Sequence, residues 1–200
     1  MLVFWRPRLV FLATPKTGTT AIEAALDSMA AVSIPRPSAL KHTSVHRYHR
    51  FLRPYLEEAA SAPFTVVAMM REPRDWLGSW YRYRQRDGIV NPAKSTRNIS
   101  FDDFVQAYCR DVRPEFANVG SQARFLKGSG ERWVDRLFRY EDIASFVHFL
   151  EETLDCEIVL PRLNVSPAGS LDLSDKTAQL LQDFAAADFR MYRTLKSGET

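Results

Sequence analysis

The chain has little of what builds several protein classes. Cysteine is scarce: Cys109 and Cys156 are too few and too far apart for a disulfide framework or a metal set, so both read as ordinary thiols. Long apolar runs are missing too, since none approaches the roughly 18 residues needed to span a bilayer. Arg6 and Arg8 interrupt the N-terminal apolar residues before a secretory core forms, which favours a first strand over a signal peptide. The expectation is a soluble, cytoplasmic chain with no membrane span. There is no block of like charge: a net charge of +3 and a pI near 8.9 describe a mixed surface, arguing against nucleic acid and leaving room for a local anionic ligand. Internal repeats and low-complexity segments are also lacking, while 46% hydrophobic residues over 200 positions supply a core for one domain, residues 1–200.

The ordered part of the pattern alternates between strand and helix. The apolar residues 8–13, between Pro7 and Pro15, read as a buried parallel strand, because such strands lack polar alternation. Ile22, Ala25, Leu26 and Met29 then recur at helical spacing. A second helix is expected over 45–59, kinked or broken by Pro54. Residues 64–70, β-branched and bounded by Pro63 and Pro73, give the clearest strand, and a helix follows from Pro73 to about 86. Residues 87–98 read as a long surface loop. Ser100 and Asp103 resemble a capping box for a helix through Tyr108. Strands over 134–140 and 157–160 and helices over 141–154 and 174–193 complete the reading. Strands alternating with helices imply an α/β fold: three α/β/α layers around a mostly parallel sheet, with a P-loop-NTPase-like topology.

In such folds ligands bind beyond the carboxyl ends of the strands. That is where Pro15-Lys16-Thr17-Gly18-Thr19-Thr20 stands, between the first apolar strand and the first helical pattern. A small, hydroxyl-rich loop with one lysine, turning into a helix, offers backbone N–H groups and a positive helix end to an anion. A Walker A loop would place its lysine after the second of two glycines. Here no glycine precedes Lys16, and Gly18 follows it, so the loop is a poor ATP cradle. The chain also has no glycine-rich dinucleotide repeat.

This loop after a first strand resembles the 5′-phosphosulfate loop of the sulfotransferase family, whose donor is 3′-phosphoadenosine 5′-phosphosulfate (PAPS). A second family mark is an arginine at a later strand end, then a proline, then a serine on the next helix. Arg71, Pro73 and Ser79 stand in that order. Weaker likenesses are Arg139-Tyr140-Glu141-Asp142, Asn164-Val165-Ser166, and Asp188-Phe189 with Tyr192, so the resemblance spans the chain and is nearest to compact bacterial and carbohydrate-modifying members. It departs from the cytosolic aryl enzymes in having no late Arg-Lys-Gly segment.

The resemblance implies an enzyme moving a sulfuryl group from PAPS to a hydroxyl or amine of a glycan, lipid or small molecule, with no metal required. Pro15, Lys16, Thr17, Gly18, Thr19 and Thr20 would hold the 5′-phosphosulfate, with Lys16 stabilising charge on the bridging oxygen. Arg71 and Ser79 would hold the 3′-phosphate. An acceptor hydroxyl needs a base. His42, after Lys41 at an expected strand end, occupies the position where carbohydrate-modifying members carry a lysine and a catalytic glutamate. Glu23 is the fallback base, with helix capping or solvent exposure as its other reading, and Lys41 either assists the sulfuryl group or is solvated. Trp76, Trp80, Tyr81 and Tyr83 either stack on an acceptor ring or pack. Lys94 and Arg97, in the 87–98 loop, favour an anionic acceptor. Two other readings share the fold: a nucleotide-dependent phosphotransferase, or a catalytically silent nucleotide-binding protein.

Overall fold

The N-terminal apolar residues form a hairpin where the sequence suggested a single strand. In the computed structural model, which describes residues 1–128, 134–161 and 170–195, β1 (Leu2–Phe4) and β2 (Leu9–Leu12) pair antiparallel around a turn at residues 5–8. Arg8 takes a left-handed φ of 50° there. β1 also pairs antiparallel with β3 (Val32–Ser33), whereas β2 pairs parallel with β4 (Thr65–Met70) and β4 parallel with β5 (Arg136–Arg139). Among the described residues the sheet therefore has five strands in the order β3-β1-β2-β4-β5. It is mixed where a mostly parallel sheet was expected, because Arg6, Pro7 and Arg8 form a turn between two apolar segments.

Helices cover both faces, as the near-continuous apolar strands require. Side chains alternate across a strand. Val10, Leu12, Val66, Ala68 and Met70 share one core with Val45, Tyr48, Leu56, Leu126 and Met191. Those residues come from α3 (Val45–Arg47), a π turn (Tyr48–Leu52), α4 (Arg53–Ala60), α7 (Gln122–Leu126) and α10 (Ala186–Thr194). On the other face Leu9, Phe11, Val67 and Met69 pack with Ile22 and Leu26 of α1 (Thr19–Leu26) and Phe146 and Leu150 of α8 (Ile143–Leu154). A third core joins Trp76, Leu77 and Tyr81 of α5 (Pro73–Arg84) to Phe104 of α6 (Phe101–Tyr108) and Leu181 of α9 (Asp175–Phe184). α5 is thus wedged against neighbours on its buried face, leaving its other face for a cleft.

Local chemistry explains several boundaries and some departures. Ser100 accepts from the Asp103 N–H at 3.0 Å, the cap that opens α6. Pro54, in the first turn of α4, breaks the 45–59 helix by way of the π turn before it. The final helical stretch divides at Ala185 into α9 and α10. Residues 157–160 pair in no ladder; the Ile158 N–H goes to Glu151 of α8 instead, at 2.9 Å. Asn164-Val165-Ser166 lies outside the described residues. No helix among the described residues is long and apolar enough to cross a membrane.

Candidate functional site

Because β2, β4 and β5 run parallel, their carboxyl ends open on one edge of the sheet. The segments that leave that edge carry Lys16, Arg71 and Tyr140. All three line one cleft of about 990 Å³, together with Pro15, Gly18, Thr19, Thr20, His42 and Ser79. Of the residues singled out in the sequence for cofactor or catalysis, Thr17 and the fallback base Glu23 are absent from this lining. Thr17 is the one that belongs to the loop. It is fully buried, and its hydroxyl donates to the Thr14 carbonyl at 3.0 Å, so its side chain shapes the loop from beneath.

The loop is curled by two left-handed residues, Lys16 at φ 67° and Gly18 at φ 69°. A left-handed lysine costs about 1–2 kcal/mol, a strain that persists only where surroundings fix it. Here the Trp76 indole donates to the Pro15 carbonyl at 2.9 Å and the Arg71 guanidinium to the Lys16 carbonyl at 3.3 Å. With these carbonyls turned back to the protein, α1 begins with no side-chain cap and no acidic residue in its first turn. The first helical N–H groups have no intrahelical acceptor and lie at the positive end of the helix dipole. This arrangement is suited to an oxyanion.

The charge of the cleft reinforces that reading. Its lining includes Lys16, Lys41, Arg71, Arg82, Arg86 and Lys94, and no carboxylate among the described residues. Burial, with Arg86, Arg71 and Arg82 adding repulsion, pushes the Lys16 ammonium down to about 7. Its Nζ lies 4.2 Å from the Tyr83 ring centroid and 5.5 Å from that of Trp80, so aromatic faces carry part of the charge. Arg71 has an acidic partner, Asp75, at 2.6 Å, and lies 4.6 Å from the Tyr140 ring. Ser79 is buried in the wall of α5.

His42 does not stand at a strand end. It follows the short helix α2 (Ser38–Lys41), well past β3, because Ser38, Ala39 and Leu40 take up a helical turn after Pro37. The placement against the cleft is retained nonetheless. Its Nδ1 lies 2.7 Å from the Ala13 carbonyl, and only a protonated Nδ1 can donate there, which leaves Nε2 as the acceptor of a neutral ring. Burial holds its pKa below the usual 6.5 against the raising effect of that carbonyl. Glu23 is neither exposed nor a cap: it is 6% exposed and bound to Lys41 at 2.6 Å and to the Met1 amino group at 3.1 Å. A carboxylate committed to two cations is a poor base. Lys41 is accordingly not solvated; it also donates to Thr20 Oγ1 at 3.3 Å.

The aromatic residues divide in the same way. Trp76 and Tyr81 are core, whereas Trp80 and Tyr83 line the cleft. In the 87–98 loop Lys94 faces the cleft, but Arg97 is turned onto Asp87 and the Gln85 carbonyl. Sequence reasoning missed Arg82 and Arg86, though part of the signal was present: Arg82 follows Ser79 by three positions on α5, and Arg86 lies just beyond the end of that helix. No protein-family model matches the chain, and comparison with curated proteins gives no match.

Proposed function

We propose that the chain is a PAPS-dependent sulfotransferase acting on a hydroxyl or amine of a glycan, lipid or small molecule. The observation that carries this reading is the meeting, in one cleft, of an uncapped helix N-terminus with Lys16, an arginine and a serine from the next parallel unit, and a neutral histidine. We read the order of β2, α1, β4 and α5 as P-loop-like, with a loop that departs from the ATP-binding pattern. The two anion positions suit a nucleotide phosphorylated at both ends: Lys16 to Thr20 for the 5′ group, Arg71 and Ser79 for the 3′-phosphate.

PAPS supplies an activated sulfuryl group on a phosphate leaving group. The residues of this chain do the rest by positioning and by charge. The N–H groups opening α1 orient the 5′ oxygens, Lys16 Nζ neutralises charge that builds on the departing oxygen, and His42 Nε2 accepts the acceptor's proton. His42 Nδ1 stays on the Ala13 carbonyl, which holds the ring in the tautomer a base requires.

Thermal unfolding with 3′-phosphoadenosine 5′-phosphate, compared with ATP and Mg²⁺, tests the reading. A ligand at one hundred times its Kd adds about 2.7 kcal/mol of stability, or roughly 5–10 °C in a chain of this size. Stabilisation by the bisphosphate and transfer from labelled PAPS to an acceptor panel are expected. Stabilisation by ATP and Mg²⁺ alone points to the phosphotransferase reading, and response to neither refutes both.

A further inference from the structure

β4 stops pairing at Met70, so the backbone groups of Arg71 and Glu72 have no strand neighbour. Side chains take that place. Gln122, 1% exposed, accepts from the Arg71 N–H at 2.9 Å and donates to the Arg71 carbonyl at 2.8 Å. A primary amide carries both a donor and an acceptor, so one glutamine satisfies both backbone groups as a strand residue would. Glu141 does half of the same for the next residue, accepting from the Glu72 N–H at 2.7 Å.

Both are held in turn from α10, Gln122 through its backbone and Glu141 through its carboxylate. Asp188, 5% exposed, accepts from the Gln122 and Ala123 N–H groups at 2.8 and 3.1 Å and from the Ser121 hydroxyl at 2.8 Å, fixing the start of α7. Tyr192 donates its hydroxyl to Glu141 at 2.9 Å. Asp188 and Tyr192 are four positions apart, one turn along a single helix face. We infer that α10 is a brace for the β4–α5 junction, and that Gln122 is the positioning residue which sets where the Arg71 guanidinium meets the 3′-phosphate. The inference rests on the reading of Arg71 given above. Gln122 does not line the cleft, so it acts through the Arg71 backbone.

Isothermal titration of 3′-phosphoadenosine 5′-phosphate and of adenosine 5′-monophosphate separates the possibilities. The wild type should prefer the bisphosphate. Gln122→Leu should lose about tenfold of that preference, as expected for a misplaced charged hydrogen bond, while monophosphate affinity stays within about twofold. In an Arg71→Ala background the same substitution should change the preference no further. Tyr192→Phe, which removes one hydroxyl from a half-buried site, should lose a smaller part, about two- to fivefold, and carries the test if Gln122→Leu does not fold. A wild type without any preference overturns the assignment of Arg71 itself. A wild-type preference that survives intact in the folded variants overturns the brace alone.

Discussion

Lys16 gives the sharpest prediction, because its position forces a proton to move when an anion binds. An ordinary lysine titrates at 10.5, whereas burial and three nearby arginines hold Lys16 at about 7. That gap corresponds to about 5 kcal/mol set against the charged ammonium. At pH 7 about half of the free protein carries the charge, and at pH 8 roughly one tenth. A phosphate dianion in the loop offsets the arginines and pairs with the ammonium, which raises the Lys16 pKa against the lowering by burial. Binding should therefore take up protons, at most about 0.5 at pH 7 and about 0.9 at pH 8. The apparent association constant of 3′-phosphoadenosine 5′-phosphate should fall as pH rises above 7, by at most about tenfold per pH unit. The signal is cleanest near pH 8: His42 lies below 6.5, and a phosphate with a second pKa near 6 is almost fully ionised there. Calorimetry in buffers of different ionisation enthalpy measures the uptake directly, with Lys16→Met as the control. Uptake that is absent in the wild type, or that persists in Lys16→Met, would refute the reasoning. The same shift bears on stability. The native state binds fewer protons than the unfolded chain between about 7 and 10.5, so the cost is full below 7 and is relieved as pH rises through that window.

Two further expectations follow from the cleft. Gly18→Ala places a Cβ 3.0 Å from Tyr140 Cε2 at a φ of 69°, so it should lose about 1–2 kcal/mol and lower Tm by several degrees, together with weaker nucleotide binding; unchanged melting and affinity would count against the loop geometry. His42→Asn should cut turnover with a true acceptor by about 10²–10⁴ while sparing nucleotide affinity. Because its folded pKa lies below 6.5, the histidine remains a competent base as pH falls to that value, and the acid limb of the wild-type rate profile should lie lower still. Full activity of His42→Asn between pH 6 and 8 would remove it as the base. The depressed value also means that His42 costs stability on acidification below 6.5, where the unfolded chain takes the proton first.

The parts of the site that were legible in the sequence are those set by local pattern. The strand-loop-helix around Lys16, the clear strand ending at Arg71, and the helix bearing Ser79 each announce themselves by periodicity and proline placement. Their meeting follows from one rule about parallel strands. The hairpin at β1 was not legible, because the three residues Leu2–Phe4 are too short to show a strand pattern and become one only by pairing with β2 and β3. Glu23 could not be judged either: its burial depends on the Met1 amino group and on Lys41, partners 22 and 18 positions away. Nor could the role of Gln122, whose partner is 51 positions upstream.

What the sequence determined by itself is the inventory: a lysine loop without the ATP pattern, a strand-end arginine with its helical serine, and a histidine beside a lysine. These depend on residue identity and short spacing. Tertiary structure alone decided which cations repel Lys16, which nitrogen of His42 is left as acceptor, which carboxylates are spent on ion pairs, and that α10 reaches the arginine through Gln122. The physical reason is that charge state and orientation depend on neighbours in space. Burial and hydrogen-bond partners from distant segments set them, and no local pattern carries that information.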